Sequence, residues 1–139
     1  MSDRRLADEP RWTSEQTLLA IHAQQIERYG GAHGVIDHNV ALSVLARPIN
    51  RGSYDPEADL ADLAAAYLVG YARAQGFSDG NKRTGLACAL VFLALNRAAL
   101  NVPPAELYAL TMSVANNQED DAAVSAYFRD RLANPRSHS

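Results

Sequence analysis

The chain has 139 residues, with Lys+Arg 13 against Asp+Glu 16 and a formal net charge of −3. Hydrophobic residues make up 47% and charged residues 21%, which fits one globular domain and excludes disordered, collagen-like and low-complexity chains. The acidic balance also excludes a general nucleic-acid coat, so any bound anion must be met by a local cluster of cations.

Capping and periodicity set out helices in chain order. Thr13-Ser14-Glu15-Gln16 fits a capping box with Thr13 as the cap, preceded by Trp12 as a hydrophobic staple or a partner-facing ring. Leu18, His22, Ile26 and Tyr29 follow at helical spacing, and Gly30-Gly31 supplies a stop. Asp37 is placed to cap a short second helix carrying Val40, Leu42, Val44 and Leu45, which Pro48 should end. Pro48, Gly52 and Pro56 then mark residues 47–57 as a long loop or hairpin-like flap. A third helix is expected from near Ala58, with Leu60, Leu63, Ala64, Tyr67, Leu68 and Tyr71 on one face.

After a break around Gly76 and Gly80, Thr84–Leu95 is apolar on every side. It is expected to be the centre of a bundle, starting near residue 82, and is too short to span a bilayer. Pro103-Pro104 opens a fifth helix with Leu107, Leu110 and Val114 inward, and Asp120-Asp121 caps a sixth with Val124, Tyr127, Phe128 and Leu132. The expected architecture is all-α: one domain over residues 1–139, about six helices around a central apolar helix, and flexible termini at 1–12 and 133–139. Cys88 is the single cysteine, so neither a disulfide nor a thiolate metal cage is available, and it reads as a small core residue. No apolar run follows Met1–Arg5, so a cytoplasmic protein is expected, with neither membrane nor nucleic acid as a direct partner.

The chemistry lies in the break, Gln75-Gly76-Phe77-Ser78-Asp79-Gly80-Asn81-Lys82-Arg83-Thr84. Asp79 or Asn81 would cap a helix and the glycines would make a turn, which is the purely structural reading. Lys82 and Arg83, however, fall in the first turn, where the helix dipole is already positive and unpaired N–H groups point outward. A phosphate chain would settle them, with Gly80 allowing close backbone approach and Asp79 able to hold a magnesium ion that bridges phosphates.

Phe77-x-Asp79-Gly80-Asn81-Lys82-Arg83-Thr84 resembles the core motif of the Fic/Doc family, and the lysine after the asparagine resembles its death-on-curing (Doc) branch. Ala20-Ile21-His22, Gly30-Gly31, Gly34-Val35-Ile36-Asp37 and Leu45-Ala46-Arg47-Pro48 extend the likeness, which covers about residues 14–132. The resemblance implies a toxin of a type II toxin–antitoxin system. Such a toxin moves the terminal phosphate of ATP to a threonine of elongation factor Tu and stops translation. An antitoxin of the prevent-host-death type silences it. On that analogy Gly80, Asn81, Lys82 and Arg83 grip and orient phosphates, and Asn81 and Arg83 also serve catalysis. Asp79 binds Mg2+ and Phe77 anchors the loop in the core. Arg47, Asn50, Arg51 and Gly52 belong to the flap that aligns the target's backbone.

One departure matters. The family motif opens with a histidine general base two residues before the phenylalanine, and this sequence has Gln75 there. A glutamine amide hydrogen-bonds but cannot take a proton near neutral pH. Losing a positioned base lowers the rate by about 10²–10⁴, while positioning and electrostatic stabilisation survive. None of His22, His33, His38 or His138 is placed by spacing beside the loop. The expectation is an intact nucleotide cleft with impaired catalysis. Two alternatives stand. One is a protein adenylyltransferase of the Fic type, disfavoured by Lys82 and by Leu86 at the place of the second arginine. The other is a non-catalytic pseudo-enzyme that binds nucleotide or a partner, supported by Gln75 itself.

Overall fold

A computed structural model describes residues 9–29, 38–73 and 81–133. Within them lie six helices: α1 (Glu15–Tyr29), α2 (His38–Tyr54), α3 (Leu60–Arg73), α4 (Asn81–Leu95), α5 (Pro104–Ala115) and α6 (Asp121–Arg131). Two short strands, β1 (Ala99–Leu100) and β2 (Leu132–Ala133), pair antiparallel with Ala99 opposite Ala133. The all-α expectation holds.

Local chemistry explains most boundaries. Pro103 and Pro104 open α5, and Asp120 caps α6 by accepting from the Ala123 N–H at 2.9 Å. At the start of α1 the cap is Ser14 rather than Thr13: its Oγ accepts the Thr17 N–H at 3.1 Å. Thr13 is buried instead, donating from Oγ1 to the Cys88 carbonyl at 3.2 Å, while its N–H donates to the Tyr67 hydroxyl at 2.9 Å. The start of α3 falls at Leu60 rather than near Ala58, because Asp59 and Asp62 form a reciprocal box. The Asp62 N–H donates to Asp59 Oδ1 and the Asp59 N–H to Asp62 Oδ2, both at 3.0 Å.

Two larger expectations need correction. Residues 47–54 are helical, not a loop, for α2 continues through Pro48 to Tyr54. A proline inside a helix loses one N–H bond and crowds the carbonyl four residues back. Here Pro48 is buried, Val44 and Leu45 sit in the core at 7% and 8% exposure, and the last turn is held by Arg51 on Asp55 at 3.1 Å. Tertiary packing outweighs the break.

The centre of the bundle is α3, not α4. Every residue from Ala61 to Ala72 is buried, with α2, α4, α5 and α6 all packed against this helix. Along α4, Cys88, Ala89, Phe92 and Leu93 are buried, whereas Leu86, Ala87, Leu90 and Val91 are only partly so and Leu95 is 40% exposed.

The stretch expected to be flexible through residue 12 is anchored at its end. Arg11 and Asn96 exchange two bonds at 2.9 Å, and the Trp12 ring stacks on Phe92 at 5.7 Å between centroids. Similarly, Ala133 is fixed by pairing with Ala99. Among the described residues no helix is long and apolar enough to cross a membrane.

Candidate functional site: the opening of α4

Helix α4 begins at Asn81, so Asn81, Lys82 and Arg83 form its first turn, as the motif requires. Gln75, Phe77, Asp79 and Gly80 lie outside the described residues, as do the side chains of Asn81, Lys82 and Arg83. The first-turn composition is unusual within this molecule. Glu15, Asp62, Glu106 and Asp121 place a carboxylate in the first turns of α1, α3, α5 and α6; α2 and α4 have none there, and α4 alone of these carries a lysine and an arginine in that turn. The first N–H groups of a helix have no intrahelical acceptor, so this end offers amides and positive charge to an anion.

Two elements pack directly on α4 near that end, and a third packs on α3 beside it. The first is α3, which leads into the segment 74–80. At Gly85 a Cβ would stand 2.8 Å from Tyr71 Cβ, 3.2 Å from the Leu68 carbonyl and 3.3 Å from the Ala72 nitrogen. Only glycine lets α3 and α4 approach this closely, beside the two ends of the segment that joins them. Arg73 then holds the end of α3, donating from Nε to the Val114 carbonyl at 3.2 Å and from its guanidinium to the Glu119 carbonyl at 2.6 Å. Carbonyls at the end of α5 are an apt acceptor for a cation.

The second is α1. His22 is 5% exposed and its Nδ1 lies 3.4 Å from the hydroxyl of Thr84, which is fully buried. A histidine is therefore in contact with the first part of α4, which spacing alone did not reveal. The available signal was that His22 follows Leu18 by four residues on the buried face of α1.

The third is α2. A Cβ on Gly70 would meet Val44 Cγ1 at 2.9 Å and Arg47 Cδ at 3.2 Å, so Arg47 crosses α3 near the end from which segment 74–80 departs. Its guanidinium lies 3.5 Å from Asp121. Arg51 points to the opposite end of α3, 3.1 Å from Asp55 and 3.8 Å from Asp62. Gly52 faces Trp12 and Leu63, and Asn50 is exposed. The four residues assigned to the flap thus occupy one helical stretch, but only Arg47 approaches the loop end of α3.

The remaining titratable groups near α4 are structural. Burial pushes the Cys88 thiol up to about 12, so it carries no thiolate nucleophile. Burial likewise raises the Tyr67 hydroxyl to about 12, against its bonds with Thr13, and raises Tyr71 further. Among the described residues no group of three or more His, Cys, Asp or Glu side chains is placed to hold a metal.

The sequence that folds this way has known relatives. Residues 12–93 match the model of the Fic/DOC family, and the chain belongs to that family. Within the family it is 37% identical over 119 residues to the protein named "Protein kinase doc" of Escherichia phage P1, across 86% of this chain and 94% of that protein.

Proposed function

We propose that this protein is the toxin of a type II toxin–antitoxin pair. It transfers the terminal phosphate of ATP to a hydroxyl of a translation factor, elongation factor Tu being the first candidate, in the cytoplasm. The observation that carries this reading is the 37% identity to a protein kinase of the same family over nearly its full length. The segment Asn81-Lys82-Arg83 at the opening of α4 supplies matching chemistry. In this reading Gly80, Asn81, Lys82 and Arg83 grip the phosphate chain, with Asn81 and Arg83 steadying charge on the moving phosphoryl group. Asp79 holds Mg2+, which neutralises phosphate charge when bound. Phe77 anchors the loop, and the exposed Arg47 and Asn50 of α2 meet the target, while Arg51 and Gly52 are engaged with Asp55, Asp62 and Trp12 within the fold. A prevent-host-death antitoxin is the partner.

Gln75 stands at the position of the base, so the protein binds ATP and transfers phosphate slowly or not at all. The test is mass spectrometry of elongation factor Tu incubated with Mg·ATP and either this chain or its Gln75→His variant. The variant should add one phosphate at a rate about 10²–10⁴ above the parent. Label from the α-phosphate on the target instead of the γ-phosphate would replace the kinase reading with adenylyl transfer. An unmodified target with both proteins, alongside measurable ATP binding, would favour the non-catalytic binding module.

A further inference from the structure

Helix α4 presents apolar residues on every side, so apolar burial alone discriminates poorly between rotations of the helix about its axis. Turning α4 by one residue, about 100°, would bring Ala87, Cys88, Val91 and Phe92 to the places of buried Cys88, Ala89, Phe92 and Leu93, an equally apolar set. The direction of its first-turn N–H groups and cations must be set by something more specific. Gly85 supplies one fixed azimuth, because only there can α3 come so close. A second must lie elsewhere on the wheel.

Thr84 lies about 100° from Gly85 on that wheel. It is fully buried, and its hydroxyl lies 3.4 Å from Nδ1 of His22 on α1. One turn further on, the same side of α4 receives Thr13, whose hydroxyl reaches the Cys88 carbonyl. Two polar residues in an otherwise apolar helix interface are costly to bury and are best satisfied in one arrangement, which makes them a device for register.

We propose that His22 and Thr84 are a positioning pair that fixes the rotation of α4 and so aims its N-terminal amides at the phosphate chain. The proposal rests on the reading of that helix opening as a nucleotide site. Neither residue touches the nucleotide. They act through α4.

Titration calorimetry with Mg·ATP, paired with thermal unfolding, tests this on the full chain and on Thr84→Val, Thr84→Ser, His22→Leu and His22→Gln. Thr84→Val keeps the shape of the side chain and removes its hydroxyl. It should weaken ATP binding about five- to tenfold with little change in midpoint, and Thr84→Ser should restore binding to within about twofold. His22→Leu should match Thr84→Val, with His22→Gln intermediate. Thr84→Val binding ATP like the parent overturns the pair's role. So does a loss of affinity that follows the midpoint equally in the valine and serine variants, because that is what a merely structural contact would give. Should Thr84→Val fail to fold, the His22→Gln and His22→Leu comparison decides on the same criteria. A parent chain that binds no Mg·ATP overturns the nucleotide reading itself, a separate result.

Discussion

Helices α3 and α4 lie against one another and both are rich in apolar residues, yet they are enclosed to different degrees. Along α3 six small residues (Ala61, Ala64, Ala65, Ala66, Gly70, Ala72) alternate with Leu63, Tyr67, Leu68, Val69 and Tyr71, and four other helices press against it until nothing from Ala61 to Ala72 is exposed. On α4 the small residues are joined by leucines, and one side, with Leu86, Leu90, Val91 and Leu95, is only partly covered. Hydrophobicity marks a helix as buried, but size decides how many neighbours can reach it. Alanine and glycine let several helix backbones close in together, whereas leucines hold them off. The enclosed helix serves as the frame, and the half-open one carries the motif.

The largest expected effect separates the two sides of α4. Phe92 is fully buried between Trp12 and Tyr67, with ring centroids 5.7 and 5.1 Å away, so Phe92→Ala should remove about 3–5 kcal/mol. Leu95→Ala, on the open side, should cost under about 1 kcal/mol, since much of its surface is already in water. Urea unfolding of both variants measures the contrast, and equal losses would mean that α4 is as enclosed as α3.

Next in size is the ion-pair cluster that ties α6 to the start of α3. Arg129 reaches Asp59 with two bonds, at 2.8 and 3.1 Å, and Asp62 at 2.9 Å. Burial alone would raise the Asp59 carboxyl, but the Arg129 fork and the bonds with Asp62 outweigh it and hold the group below its usual 3.8. A depressed carboxylate adds stability that is fully present above its unfolded pKa and is lost as pH falls through the folded one. Arg129→Met should therefore cost about 2 kcal/mol at neutral pH, less than a fully buried pair because Arg129 is 34% exposed. The gap between parent and variant should narrow below about pH 4. A gap that is flat with pH would show that packing, not charge, holds α6 on α3.

A smaller effect probes the seam between the two helices. Gly85→Ala gains about 1 kcal/mol of helix propensity but drives a methyl group to within 2.8 Å of Tyr71, where overpacking costs about 1–3 kcal/mol. The net loss should be about 1 kcal/mol, since the atoms met are the Tyr71 Cβ, the Leu68 carbonyl and the Ala72 nitrogen, which no side-chain rotation moves aside. Urea unfolding measures it, and a Gly85→Ala variant as stable as the parent would mean that the two helices can part at this seam without loss.

These contrasts mirror what was legible in the sequence. Some signals that act within one turn held, since Pro103-Pro104 opened α5, Asp120 capped α6 and the first turn of α4 fell at the motif, whereas the cap of α1 fell on Ser14, one residue past Thr13. The paired Asp59 and Asp62 were legible in principle, since a capping box can be built with aspartate. The inward faces of α5 and α6 and the burial of Cys88 held, but two outcomes decided between helices failed. Nothing local says that Val44 and Leu45 will seat α2 firmly enough to carry it through Pro48. Nothing local says that the alanines of α3, rather than the leucines of α4, will gather the neighbours. For the site, the chemistry at Asn81, Lys82 and Arg83 could be read from charge against the helix dipole. The contact of His22 with Thr84 could not, because it joins residues 62 positions apart.

The smallest effect has the opposite sign and reaches function. Gly52 lies in the last turn of α2, away from the α3–α4 seam, and a Cβ there would meet Trp12 at 3.6 Å and Leu63 at 3.7 Å, ordinary contact distances. Gly52→Ala should therefore stabilise the protein by about 0.5–1 kcal/mol, through the lower backbone entropy of the unfolded chain and better helix propensity. If residues 47–54 must unwind to lie along a target's backbone, the same change made with Gln75→His should slow phosphate transfer while raising the unfolding midpoint. A transfer rate that is unchanged would mean that the target is met by α2 as a helix, with Arg47 and the exposed Asn50 presented from its outer side.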